Sequence, residues 1–169
     1  MKLQLGCMNQ RIDGFSNVDI VPGPNVDFIM DAKQLDFQTG SVEEIYASHI
    51  LEHFQRTETQ KALDEWSRVL VPGGILWLSV PSVEQLFKVY QKMGYWTEWL
   101  DRVMHGDQEA PVSFHYRSFT WPILQGLLHN AGFKSFIQVD SLKYDISDAS
   151  KIVDSIFQIS ISLCVKAFK

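Results

Sequence analysis

An α/β domain with a doubly wound, mostly parallel sheet is predicted by three features of the sequence. Short apolar runs recur along the first half of the chain and alternate with helical patterns or turn residues, as strands of a parallel sheet do. A strand-like start, Leu3 to Leu5, breaks at Gly6, and the run that follows ends on an acid, Asp19. Two apolar runs near the end, FKSFIQVD and FQISISLCVKAF, have no clear helix between them, which predicts an antiparallel pair at one sheet edge. A length of 169 residues suits one domain spanning 1–169, enough to bury roughly 70% of the surface its unfolded form exposes.

Taken in order, Leu3, Leu5 and Val18 are the inward residues of the first two strands. Gly6 allows the backbone to turn sharply and to approach an anion closely. Asp19 at the end of the second strand can accept hydrogen bonds from the vicinal hydroxyls of a ribose. This is half of a nucleotide site. A dinucleotide fingerprint needs G-x-G-x-x-G with an acid about 20 residues on, and only Gly6 is present, so an NAD domain is disfavoured. After the VPGPN turn, VDFIMD also stops at an acid, Asp31, which with Ala32 can meet an exocyclic amine while Ile20 and Leu35 sandwich a flat base. The plainer alternative is that Asp31 caps the next segment.

EEIYAS (43–48) reads as a strand, followed directly by HILEHF. Thr57 and Gln60 then form a capping box for a helix with Ala62, Leu63, Trp66, Val69 and Leu70 as its apolar stripe, ending before Pro72. Gly73 and Gly74 turn the chain into the buried strand ILWLSV. Ser82 and Gln85 cap the next helix, which carries Val83, Leu86, Phe87 and Tyr90. From Tyr95 to Trp121 the pattern is aromatic and irregular, so 94–120 is expected to be a lid or acceptor-site insertion, or packing under a long loop. Thr120 caps a helix through Leu124, Leu127, Leu128 and Ala131, stopped by Gly132, with Phe133 as the apolar contact. Residues 141–156 read as a loop with a short helix.

Net charge is −5, with no lysine or arginine run, which argues against nucleic acid as a partner. Two cysteines in no ligand spacing read as reduced thiols, and no apolar run reaches the roughly 18 residues a membrane span needs. With strand pattern starting at the first residues, no signal peptide is expected, and the chain reads as soluble and cytoplasmic. Of the five histidines, His105 and His129 read as surface positions. His49 and His53 have the spacing of a zinc pair, but the order H-I-L-E-H is not H-E-x-x-H and no third ligand is evident, so no metal is expected. Their plainer role is structural, and Glu52 reads as an ion-pair or capping partner. His115, within the aromatic segment, is suited to take a proton near pH 7 or to hold an acceptor, or else is a hydrogen-bonded packing residue.

In this order, LQLGCMN, NVDI, MDAKQLDF, EEIYASHILEHF, RVLVPGGILWLSVP and HNAGF resemble the class I S-adenosylmethionine-dependent methyltransferases, more narrowly a small bacterial group of methyltransferase type 11 kind. The resemblance covers about residues 2 to 135. It implies a Rossmann-like sheet with an antiparallel strand at one edge and S-adenosylmethionine as cofactor. Gly6 and Cys7 would lie against the methionine part, Asp19 at the ribose, Asp31 and Ala32 at the adenine, and Ser48 and His49 beside the sulfonium. His115 matches the histidine of the family's G-G-Q…H stretch, although the chain reads Gly106-Asp107-Gln108 there. The acceptor implied is a small molecule or, by analogy with polysaccharide biosynthesis, a sugar hydroxyl. Met8 replaces the second glycine of L-G-C-G. A methionine there would deny a positive φ or close backbone approach, which leaves a non-catalytic binding protein of the same fold as the alternative.

Overall fold

The computed structural model describes residues 1–8, 10–144 and 154–169. Seven strands form one sheet: β1 (Lys2–Leu5), β2 (Ser16–Asp19), β3 (Phe28–Ile29), β4 (Val42–Ser48), β5 (Leu70–Pro81), β6 (Ser135–Val139) and β7 (Ser162–Phe168). Their order is β3-β2-β1-β4-β5-β7-β6. The first five run parallel, with Leu5 beside both Val18 and Ala47, whereas β7 is antiparallel to β5 and to β6. The expected antiparallel pair is therefore at the edge, with β7 inserted between β5 and the outermost strand β6. Because β1 has β2 on one side and β4 on the other, the chain reverses direction across the sheet at β1. The crevice at the carboxyl ends of these strands is where open α/β sheets bind ligands.

Strand alternation explains the core. Leu3, Leu5, Val18, Ile45, Ala47, Leu76, Leu78, Val80, Val165 and Ala167 share one face, against Ala62, Leu63, Trp66 and Val69 of α1 (Thr59–Val69) and Leu124, Leu127 and Leu128 of α4 (Trp121–Asn130). On the other face Tyr46, Trp77 and Cys164 pack with Ile12, Phe15 and Leu142. There Glu44 is nearly buried but receives Lys2 Nζ, Trp77 Nε1 and the Tyr144 hydroxyl, each at 2.7 Å. Burial acts to raise its pKa, yet Lys2 and the two neutral donors outweigh it and hold the carboxyl below the usual glutamate range.

Several boundaries differ from those read in the sequence. The first helix begins at Thr59, not at a Thr57/Gln60 box, because Glu58 Oε2 turns back to accept from the Gln55 N–H and Thr59 Oγ1 donates to the Gln55 carbonyl. Leu70 belongs to β5, which passes through Pro72 and the two glycines before reaching ILWLSV. Ser82 does cap α2 (Val83–Met93), accepting from the Gln85 N–H, and Gly132 takes φ +86° after α4. The stretch read as irregular holds a helix, α3 (Glu98–His105), capped by Thr97 accepting from the Leu100 N–H. Leu100 joins Leu86, Val89 and Ile161 in a small core between α2 and α3. Of the loop expected at 141–156, residues 145–153 lie outside the described residues. Among the described residues no helix is long and apolar enough to cross a membrane.

Candidate active site

Above the carboxyl edge of β1, β2 and β4 opens a cleft of about 1220 Å³. Its floor begins at Gly6, whose φ of +63° is in the region that costs other residues about 1–2 kcal/mol. A Cβ there would stand 2.9 Å from Ile50 Cδ1, so the side of the turn is already occupied. Met8 does not deny the turn its left-handed backbone. It adopts φ +48° itself, with its side chain mostly exposed at the cleft margin.

Asp19 fastens this turn. Oδ2 accepts from the Met8 N–H and Oδ1 from the Val21 N–H, both at 2.9 Å, so the carboxylate joins the loops after β1 and β2 while each oxygen keeps a second lone pair. Asp31 Oδ1 accepts from the Lys33 N–H at 2.9 Å, so Asp31 closes its own turn while lining the cleft.

Of the sequence-predicted residues, Gly6, Asp19, Ile20, Asp31, Ala32, His49 and His115 line one cleft. Cys7, Leu35 and Ser48 do not. Cys7 turns inward beneath Gly6, and burial followed by the charge of Asp19 pushes its thiol up to about 11, so the group is protonated and inert at neutral pH. Leu35 is in the main core because its backbone is pinned to α1, its N–H donating to Glu65 Oε1 and its carbonyl accepting from Arg68 Nη2. Ser48 Oγ pairs with Ser79 Oγ at 3.0 Å across the sheet.

The opposite wall comes from the aromatic segment. Trp99, Arg102 and Val103 of α3 line the cleft together with Gly106, Asp107, Pro111, Val112, Ser113 and His115. Gly106 makes that return possible, since a Cβ at its φ of +78° would overlap the Ser113 carbonyl. The His115 N–H then donates to the His105 carbonyl and the Tyr116 N–H to that of Glu52, which ties this wall to the short 3-10 helix Leu51–His53.

Four titratable side chains gather at that junction. His49, itself at φ +51°, places Nδ1 3.0 Å from Glu52 Oε1, a close approach without hydrogen-bond alignment, and pairs through Nε2 with Ser162 Oγ at 2.8 Å. His53 Nδ1 donates to the Phe114 carbonyl and His115 Nδ1 to the Val103 carbonyl, each at 3.0 Å; carbonyls accept only, so in each neutral ring the lone pair is on Nε2. The two rings meet edge to face with centroids 4.8 Å apart. Burial lowers the His115 pKa, with the Glu52 carboxylate opposing it. Glu52 is wholly buried; burial acts to raise its pKa, but His49 first and then His53 and His115 bring it below the usual value. Ile50 was missed in the sequence, His53 and Glu52 were read there as structural, and α3 falls within the expected 94–120 insertion although its helix was not read. The one available signal was the unbroken HILEHF run directly after a strand end.

The cleft exceeds the roughly 300–1,000 Å³ of ordinary small-molecule sites, leaving room for two ligands. Residues 15–78 match the family described as "Methyltransferase domain". The chain has no match among curated protein sequences. Its fold is similar to that of a SAM-dependent methyltransferase from Archaeoglobus fulgidus, with TM-score 0.64 and 14% identity over 99% of this chain and 85% of that one. A SAM-dependent methyltransferase from Methanosarcina mazei gives 0.61 and 19% over 99% and 91%. The 1,6-didemethyltoxoflavin-N1-methyltransferase of Burkholderia thailandensis, solved with its substrate and S-adenosylhomocysteine bound, gives 0.59 and 19% over 99% and 70%. Residues 15–78 thus match a methyltransferase-domain family, and the seven-stranded sheet of this order, with an open cleft at its switch point, is the Rossmann-like fold of these S-adenosylmethionine-dependent methyltransferases.

Proposed function

We propose that this protein transfers a methyl group from S-adenosylmethionine to a small-molecule or sugar acceptor. The supporting observation is the convergence, in one cleft, of the Gly6 turn, Asp19 and Asp31 on one side and His115 on the other. When bound, the cofactor supplies an electrophilic methyl on a sulfonium. Gly6 leaves its backbone open to the methionine portion, the free lone pairs of Asp19 receive the ribose hydroxyls, and Asp31 with Ala32 and Ile20 meets the adenine. Cys7, Leu35 and Ser48 support this side from behind. On the far side His115 presents an imidazole whose Nε2 lone pair accepts a hydrogen bond from the O–H or N–H of the acceptor. His49 positions Glu52 below it. Trp99, Val103 and Val112 exclude water from the wall where the two ligands meet, so that alignment supplies much of the acceleration of an in-line displacement. Residues 94–120 are the lid and acceptor wall in this reading.

Isothermal titration with S-adenosylmethionine and S-adenosylhomocysteine is expected to show one site, and Asp19→Ala to weaken it by about 1–3 kcal/mol, roughly 5- to 150-fold. Absence of heat at millimolar ligand with folded protein overturns the reading. A second reading, a binding protein of this fold without catalysis, is favoured by Met8, whose side chain edges the cleft. The Met8→Gly variant separates the two. Its stability should change by no more than about 1 kcal/mol, because relief of the left-handed backbone offsets the entropy of glycine. Cofactor binding gained only by Met8→Gly supports the second reading, and equal binding by both proteins supports the enzyme.

A further inference from the structure

Beneath the acceptor wall, Glu52, His53 and His115 each offer a ligand atom, and these atoms lie within 4.8 Å of one another. We infer that they form a binding site for one divalent first-row transition cation. The sequence reading had excluded a metal because His49 and His53 lacked a third ligand. The structure replaces that pair, since His49 turns Nε2 to Ser162 Oγ and only its Nδ1 toward Glu52, while His115 arrives from a distant part of the chain.

Three observations converge on an ion. Glu52 has no exposed surface; its Oε1 is near His49 Nδ1 but off the line of a good hydrogen bond, and among the described residues Oε2 has no hydrogen-bond partner. A buried carboxylate oxygen left unpaired is costly and calls for a positive partner. The supports of a metal site are also in place. Both imidazoles donate Nδ1–H to backbone carbonyls, the usual outer contact that fixes a ligating histidine, and His49 stands against the carboxylate. Finally, His53 and His115 line the cleft whereas Glu52 is behind them. An amine of the acceptor cannot reach that oxygen, but a single ion seated between the three can. Two histidines and one carboxylate suit zinc, manganese or iron(II) and leave coordination positions open toward the cleft.

The ion's role, though not its binding, rests on the transfer reading above. Ion and hydrogen bond compete for the same His115 lone pair, so with the ion in place an oxygen of the acceptor would face the ion instead, lowering the cost of its deprotonation.

The test is titration of cobalt(II) into the metal-stripped full chain, followed by visible absorption. One equivalent should produce the d–d bands of an imidazole-containing site, with affinity reduced at least about 10-fold in His115→Ala and in Glu52→Gln and unchanged in the exposed His129→Ala control. Near-UV circular dichroism verifies folding, and if Glu52→Gln does not fold, His53→Ala and His115→Ala decide. No band at millimolar cobalt, or equal binding by His115→Ala and the parent, overturns the site. Parallel titration with S-adenosylmethionine separates the two ideas: cofactor binding without a cobalt band removes only the ion, and a cobalt band without cofactor binding removes only the transfer reading.

Discussion

Trp66→Ala is expected to cost about 3–5 kcal/mol of folding free energy, a large part of the roughly 5–15 kcal/mol that stabilises a typical domain. Trp66 has no exposed surface and is among the largest of the fully buried side chains. Its ring packs edge-on against Phe54, with centroids 6.4 Å apart, and Nε1–H donates to the Ala32 carbonyl at 2.8 Å. Truncation leaves a cavity between α1 and the sheet and a carbonyl without its donor. Trp66→Phe keeps most of the volume but loses the N–H, and should cost about 1–2 kcal/mol, near the worth of one buried hydrogen bond. Urea unfolding with an unchanged slope measures both, and an unshifted midpoint for Trp66→Ala would show that this contact contributes nothing. Because Ala32 lines the cleft, cofactor affinity should fall along with stability.

Gly6→Val is expected to abolish measurable cofactor binding and to destabilise the fold by about 2–4 kcal/mol. One part is conformational: a β-branched residue at φ +63° bears more than the 1–2 kcal/mol of an ordinary left-handed residue. The other part is steric, since the added carbon is 2.9 Å from Ile50 Cδ1 and 3.3 Å from its Cβ and Cγ1. These parts can be separated. Ile50→Ala removes the collision and leaves the φ, so a Gly6→Val/Ile50→Ala double variant should recover part of the stability but little of the binding. Full recovery of both would mean that the turn geometry at Gly6 is unimportant. Thermal unfolding and calorimetric titration supply the two readouts.

Local chemistry made the central sheet legible. The apolar runs around Leu3, Ile45 and Leu76 are parallel strands because residues buried on both faces need no polar alternation, and the Gly6 break and the Asp19 and Asp31 ends are at one edge because parallel strands finish together. What stayed hidden depends on contacts distant in sequence. Leu35 looked like a base-stacking residue until Glu65 and Arg68 claimed its backbone. The helix α3 was obscured because its stripe faces a small satellite core and its one tryptophan, Trp99, is partly exposed. His49 and His53 were visible as a spaced pair, but His115 comes beside His53 only through the Gly106 return, which no periodicity reports.

The placement of β7 has a consequence for how the molecule is made. Residues 162–168 are synthesised after β6 yet lie between it and β5, so the outer rim of β5 stays bare on the ribosome until they emerge. Sheet completion is thus a late, long-range event, slow by the rule that distant pairings delay folding, and the nascent chain carries an unpaired apolar edge of the kind chaperones guard.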